Sequence, residues 1–417
     1  MHTILDPIPI GGGVTLARVV QAGRWLFAQG NMATRHCGGL QSPGPRDGQD
    51  PLLQEPAGLA QGRWVYESLA SAFAKAGATL EDLLRIDQFY DSPESVYPYH
   101  LARQQALGAI VPPSTSVIVP GLLAPQATLC LEAIGAIGAQ ERRQAINASG
   151  IPVSRASSGF AAIMTFEEYI FVAGQVADAL DSNGIAKEAT MNPEYTWDRS
   201  EIARQADYVL HNVIKAAELA GSDREHVVKA QVFLRNMRDL PQLDEVWRRI
   251  FGTEGPARSV APASALALKK GIIEVNLVCV RKGTAIRRSQ PDPRSGVPAI
   301  VSATDMTHLS GVSAQQDGKL AESVRRLAPD RYTHSMVAAE TEVLIDQVEA
   351  RLEHHGRTLD ELVRIQQYHT DLRDFLASAQ VWQRRLGGPV PLSAVQVDGA
   401  LVPAGATITA DCWAVAS

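Results

Sequence analysis

One fifteen-residue stretch is written three times in this chain, and its spacing limits what the chain can fold into. The copies are 76–90 (AGATLEDLLRIDQFY), 220–234 (AGSDREHVVKAQVFL) and 355–369 (HGRTLDELVRIQQYH). Each closes a helical pattern with a Gly, passes a short acidic turn and enters an apolar run of strand character. Gly77, Gly221 and Gly356 are 144 and 135 residues apart. Upstream, apolar runs end in Gly30, Gly174 and Gly311, which lie 47, 47 and 45 residues before the Gly of each copy. Downstream, Pro112, Pro256 and Pro389 follow that Gly by 35, 35 and 33 residues. Three spacings that agree in three places point to a threefold internal repeat.

The repeat divides the chain into units at 1–140, 150–283 and 296–417, with polar joints at 139–149 and 283–296, the second read as a true linker. Each unit reads as strands, helix, strand, helix, strands. In the first, helices are expected over 64–76 and 97–107, and strands over 83–90, 116–119 and 128–134. In the second, helices are expected over 202–219 and after Pro241, and strands over 227–234, 259–263 and 272–280. In the third, helices are expected over 337–354 and 375–386, and strands over 362–369, 393–397 and 407–415. The fold class is therefore α+β, with two helices on one face of a sheet. Such a unit leaves its other sheet face apolar, and three copies bury those faces together around a pseudo-threefold axis, as a cyclic homotrimer does.

Composition narrows the function classes. Acids and bases are interspersed at a net charge of −6, so no basic stripe invites nucleic acid. No apolar run is long enough to span a bilayer, and residues 1–7 lack the pattern of a secretory signal. Cys37, Cys130, Cys279 and Cys412 have no CxxC spacing, and free buried thiols are expected at Cys130 and Cys412. The expectation is a reduced, cytoplasmic, soluble protein with a small-molecule partner, monomeric as a pseudo-trimer and open to further self-association. The Gly11-Gly12-Gly13 run lacks phosphate-loop spacing. Arg35-His36-Cys37, His100, His354-His355 and His369 read as solvated or structural, and no metal site is expected.

The second unit carries a recognisable pattern. VAGQ at 172–175, Gln205 through Asn212-Val213, Ala220-Gly221, VVKAQVFL at 227–234 and GPARS at 255–259 resemble the Rid/YjgF family of reactive-intermediate (enamine/imine) deaminases. The resemblance implies a chorismate-mutase-like unit, trimers with sites in the clefts between neighbours, and hence a fused, single-chain pseudo-trimer around a central barrel. The family's Pro-Ala-Arg-Ser supplies an Arg that holds the substrate carboxylate, with a Glu some twenty residues on. Counted from the downstream Pro, the Arg position reads Ser114, Arg258 and Pro391. The Glu position reads Glu132, Asn276 and Asp411. No unit keeps both, and the family's Tyr before the first strand is absent from all three.

The candidate catalytic residues are therefore Arg258, Glu132 and Asp411. Ser259, Gly30, Asn31, Gly174, Gln175, Ser310, Gly311 and Ser114 are candidates for substrate contact. A planar guanidinium grips a carboxylate through two parallel hydrogen bonds, and a nearby carboxylate or hydroxyl orients water for attack on the imine carbon, without cofactor. Arg258 should face either Gln29-Gly30-Asn31 or Ser310-Gly311-Val312. Glu132 and Asp411 sit in apolar strands, where each could instead pair with a structural Arg from another unit. Two alternatives stand beside the deaminase. One is hydrolysis of a cyclic amide by hydroxyls of the first unit around Ser114, by fold-level analogy with cyanuric acid hydrolase and barbiturase. The other is a non-catalytic small-molecule-binding protein.

Overall fold

The computed structural model describes residues 2–34, 55–109, 111–147, 159–179, 184–195, 197, 200–326 and 335–416. The principal elements begin with β1 (Val19–Ala22), β2 (Trp25–Asn31), α1 (Ala57–Ala74), β3 (Leu83–Tyr90), α2 (Val96–Leu107), β4 (Ser114–Ile118) and β5 (Leu129–Ala136). They continue with β6 (Ile163–Phe166), β7 (Tyr169–Gln175), α3 (Glu201–Leu219), β8 (Val227–Leu234), α4 (Leu240–Phe251), β9 (Ala257–Pro262) and β10 (Ile273–Val280). The last group is β11 (Ile300–Ala303), β12 (Met306–Leu309), α5 (Met336–His354), β13 (Leu362–His369), α6 (Phe375–Leu386), β14 (Leu392–Gln396) and β15 (Ile408–Val415).

These strands form three sheets with one pairing order: β1-β2-β5-β3-β4, β6-β7-β10-β8-β9 and β11-β12-β15-β13-β14. In each, the only parallel pair is the last one, and a parallel pair needs a crossover; α2, α4 and α6 supply it. Gly77, Gly221 and Gly356 have φ of 71°, 87° and 70°, the left-handed region that ends a helix without cost only at glycine. The acidic turns that follow are short 3-10 turns. Thr79 or Asp223 caps the first two, and a capping box with Glu361 closes the third at Thr358.

The expected central barrel is not formed: among the described residues no sheet closes on itself. Short edge strands cross between sheets instead, Ala265–Leu266 onto β4 and Gly121–Leu122 onto β14. The joints also differ from the linker reading. Gln144–Ile146 pairs with β6 and Ile286–Arg288 with β11, so each joint contributes an edge strand. Polar residues suit such a strand, because one face and one edge stay in water. The hairpin Pro7–Gly11 and Val14–Ala17 leaves the first sheet altogether. Its Val14 and Leu16 join the core under α5 and α6, and Ala17 N donates to Val390 O at 2.7 Å.

Helices cover one face of every sheet, and each pair closes a separate core. The opposite faces share an interior. At one end Trp25, Phe27, Phe166, Tyr169, Met306 and Trp413 from all three sheets pack together. There Asp305 accepts from Trp25 Nε1 and Tyr169 Oη, both at 2.8 Å. At the other end Phe89, Phe233 and Tyr368 meet edge to face, with centroids 6.1, 6.3 and 6.4 Å apart. These three occupy the same place in the three copies of the recurring stretch. The described residues contain no helix long and apolar enough to cross a membrane.

Truncating one ring of that trio leaves a cavity between three sheets that cannot collapse onto a single one. Phe233→Ala should lower unfolding free energy in urea by about 3–5 kcal/mol. The exposed Tyr97→Ala should stay within about 0.5 kcal/mol of the unsubstituted protein.

Candidate functional site

Alternation along β9 sends adjacent side chains to opposite faces. β9 runs parallel to β8 with Ala230 opposite Arg258 and Gln231 opposite Ser259. Arg258 turns toward α4, where its guanidinium lies 4.7 Å from the Trp247 ring centroid and pairs with Asp244. Its Nη1 is buried without a partner. Burial pulls the Arg258 pKa below the ordinary guanidinium value, and Asp244 offsets part of that. The Arg258 backbone N–H donates to Ser310 Oγ at 2.8 Å, and its carbonyl accepts from Gly311 N at 3.0 Å. Of the two neighbours open from sequence, Ser310-Gly311-Val312 is the one Arg258 meets.

Arg258, Asp244, Ser310, Gly311, Arg351 and Thr409 line a cavity of roughly 540 Å³ between the second and third sheets. Gln290, Asp292, Arg294 and Ser295 of the second joint, with Val297, Pro298 and Ala299 just after it, form part of its wall. Arg351, on α5, donates from Nη1 to Ser310 O at 3.2 Å.

The other candidates lie elsewhere. Ser259 faces the shared interior and accepts from Lys229 Nζ at 2.6 Å, so it does not line the cavity. Asp411 is fully buried among Lys229 Nζ at 2.7 Å, Arg364 Nη1 at 2.8 Å and Gln231 Nε2 at 2.7 Å. Burial pushes its pKa up, but Lys229 and Arg364 outweigh that and hold it well below the usual carboxylate range. Glu132 accepts from Gly30 N at 3.1 Å and from Ser393 Oγ, with Arg364 Nε 3.8 Å away. Burial raises it to about 7 against those three partners. Glu132 and Asp411 thus take the structural pairing with an Arg, Arg364, and neither reaches the Arg258 cavity. Asn31 donates to Leu131 O at 3.1 Å, and Gln175 is buried with neither amide atom hydrogen-bonded. Ser114 donates to Gln88 Oε1 at 2.8 Å and accepts from Arg103 at 3.5 Å; neither partner is a base that could activate it.

Strand register corrects one equivalence. Ile86 opposes Ser114, Ala230 opposes Arg258 and Ile365 opposes Leu392. The residue matching Arg258 in the third sheet is therefore Leu392, not Pro391. Counting from Pro389 slips by one because Pro389 stands three residues before the registered position, whereas Pro112 and Pro256 stand two before theirs. The same register matches Thr115, Ser259 and Ser393, and each is faced by a Gly of a different sheet. A Cβ on Gly311 would stand 3.6 Å from Ser259 Cα, one on Gly30 3.4 Å from Ser393 Cβ, and one on Gly174 3.1 Å from Thr115.

Two residues were missed in the sequence. Glu274 of β10 crowds Gly174 in the cleft with Thr115, and its Oε2 has no hydrogen-bond partner. Burial raises it to about 8, with the backbone amides of Ser116 and Ala267 opposing. Its signal was that of Glu132, a lone acid in an apolar strand. Arg351 sits on α5, where one Arg among the polar residues of a helix gives no sequence signal of a site. Arg35-His36-Cys37 lies outside the described residues, among which no cluster of three or more His, Cys, Asp or Glu is placed to hold a metal. Cys130, Cys279 and Cys412 are free and buried.

Comparison with known proteins places the likeness in the middle of the chain. The family model described as Endoribonuclease L-PSP matches residues 153–281. A RutC family protein of Pyrococcus abyssi is 29% identical over 114 residues, 27% of this chain and 80% of that protein. The bovine 2-iminobutanoate/2-iminopropanoate deaminase is 31% identical over 80 residues, 19% of this chain and 58% of that protein. A chorismatase crystal structure aligns with 80% of this chain and 93% of its own at a TM-score of 0.52 and 12% identity, a likeness of fold.

Glu274 gives a pH test. Its folded pKa is raised above the unfolded value, so the protein loses stability as pH rises from the unfolded value through about 8. Glu274→Gln should stabilise the protein at pH 9 by on the order of 2–4 kcal/mol and change it little at pH 4, read by urea unfolding at both.

Proposed function

We propose, for a chain that belongs to the Rid/YjgF family through residues 153–281, that the cavity between its second and third sheets is the site of a small-molecule deaminase or hydrolase. The substrate class is a small carboxylated imine or enamine. The units at 1–140, 150–283 and 296–417 act as three fused family units standing in for a trimer. The common strand order of the three sheets and the likeness of most of the chain to one solved fold support that reading.

The observation that carries the proposal is the placement of Arg258. It lines the cavity from the family segment, with Ser310 and Gly311 of the third sheet hydrogen-bonded to its own backbone. A carboxylate held there places the adjacent imine carbon within the cavity, beside the hydroxyls of Ser310 and Thr409. Water then adds to that carbon, a proton moves to nitrogen, and the C–N bond breaks to release ammonia and leave a 2-oxo acid. Holding the reactant accounts for most of what the protein must contribute, since the imine is already electrophilic. Related proteins are named for deaminating 2-iminobutanoate and 2-iminopropanoate, which belong to this class.

Arg258→Ala should lower kcat/KM for ammonia release from freshly generated 2-aminoacrylate by about 100-fold, the loss expected for a charge-assisted contact. Ser114→Ala, in a different cleft, should leave it unchanged. Equal rates for the Arg258→Ala and unsubstituted proteins would end the proposal. A loss confined to Ser114→Ala would favour hydrolysis of a cyclic amide instead.

A further inference from the structure

The charges around the cavity do not cancel. Arg258 is paired with Asp244, and the outlying Arg294 lies 3.6 Å from Asp292. Arg351 has no carboxylate partner among the described residues. Its guanidinium makes one hydrogen bond there, from Nη1 to the Ser310 carbonyl at 3.2 Å. Burial lowers its pKa to about 10 and no acidic carboxylate opposes the shift, so it stays protonated at neutral pH. The site therefore holds one uncompensated cation, contributed by α5 rather than by the strand that carries Arg258. A partly buried guanidinium with open donors has given up hydration that an incoming anion restores, and charge-assisted hydrogen bonds are the strong ones.

We propose that Arg351 supplies the net positive charge of this cavity and takes the carboxylate of its ligand, while Arg258, neutralised by Asp244, adds a directional donor through Nη1. The proposal rests on the cavity being the substrate site, and it identifies the residue that makes the site select an anion. Arg258 lies over Trp247 and beside Asp244, so its position is set before ligand arrives. Arg351 from α5 and Arg258 from β9 meet the same residue, the Arg351 guanidinium bonding the Ser310 carbonyl and the Arg258 backbone N–H bonding the Ser310 hydroxyl. Both arginines line the cavity, so a small carboxylate in it is met by donors from the helix and from the strand.

The test compares affinity for 2-oxobutanoate with that for its neutral primary amide by calorimetry. The unsubstituted protein should prefer the anion by about 10- to 100-fold. Arg351→Gln keeps the length and a donor for the Ser310 carbonyl but removes the charge, and its preference should fall to near unity. Arg351→Lys should retain most of it. A structural role for Arg351 would weaken both ligands alike and leave their ratio unchanged. Asp244→Asn, which uncovers the second guanidinium, should tighten 2-oxobutanoate about tenfold, and it carries the test if Arg351→Gln does not fold. A preference that survives Arg351→Gln, its absence from the unsubstituted protein, or weaker anion binding in Asp244→Asn overturns the proposal. Deamination insensitive to Arg258→Ala, together with an anion preference that depends on Arg351, would sink the proposed function and leave this inference standing.

Discussion

The arrangement of the three sheets depends on one buried carboxylate. Asp411 is removed from water, and an isolated charge there would cost several kcal/mol. It is met by Lys229 from the second sheet and by Arg364 and Trp413 from its own. Lys229 in turn holds Ser259 Oγ and Leu309 O, while Arg364 extends to Glu132 of the first sheet. Arg85 pairs with Asp87 and reaches Gln231 across the next interface. Three cations and three carboxylates thus lie between the two apolar ends of the interior. Sliding any sheet by one residue would leave a charge without a partner where water cannot reach it. The apolar ends favour association of any three such faces, whereas the ionic layer selects one relative register.

That register determines the cavity. Because Lys229 draws Ser259 inward, the alternation of β9 forces Arg258 outward, toward α4 and the third sheet. Irregular pairing recurs near the start of β3, β8 and β13, at Leu83/Arg85, Val227/Lys229 and Leu362/Arg364. A bulge re-aims the side chains that follow it, here the three cations of the central layer. The close packing of Gly311 on Ser259 then leaves the Ser310 hydroxyl and carbonyl at the cavity wall. The site is therefore a consequence of how the interior is locked, several ångströms behind the residues that line it.

Much of this was legible in the sequence because the recurring stretch encodes backbone requirements. Leu83–Tyr90, Val227–Leu234, Leu362–His369 and Phe375–Leu386 begin and end where the pattern places them. The left-handed Gly, the capped turn and the period-two run are local signals, and local signals survive divergence. The pairing of sheets was also readable in outline, since each unit exposes a second apolar face. What escaped was the fate of polar residues in strands. Glu132 and Asp411 carried the signal expected of site acids, and so did Glu274; only the partner across the interface separates a structural ion pair from a strained carboxyl. Those partners, Arg364 and Lys229, lie in other copies of the stretch at positions that read as ordinary strand. Leu392 was misplaced for another reason. Pro389 stands three residues before the registered position, where Pro112 and Pro256 stand two before theirs, and a one-residue slip in a strand reverses the face a side chain takes.

On the three-unit reading, fusion has chemical consequences that a homotrimer cannot have. In a trimer of identical chains every cleft carries the same Arg and the same acid. Here the two groups stand in different clefts. Arg258 faces Thr409, whereas Glu274 faces Thr115, where the residue in register with Arg258 is Ser114. The separation gives each a different environment. Among the described residues no cation offsets the burial of Glu274, and the carboxyl holds its proton to about 8. The Arg258 cavity instead contains a protonated, uncompensated Arg351. Had both groups shared one cleft, Arg351 would have pulled the carboxyl pKa down and the carboxylate would have cancelled the guanidinium. Keeping them apart preserves a neutral acid in one interface and a net cation in another, and the only device required is a single polypeptide in which each interface is free to change alone.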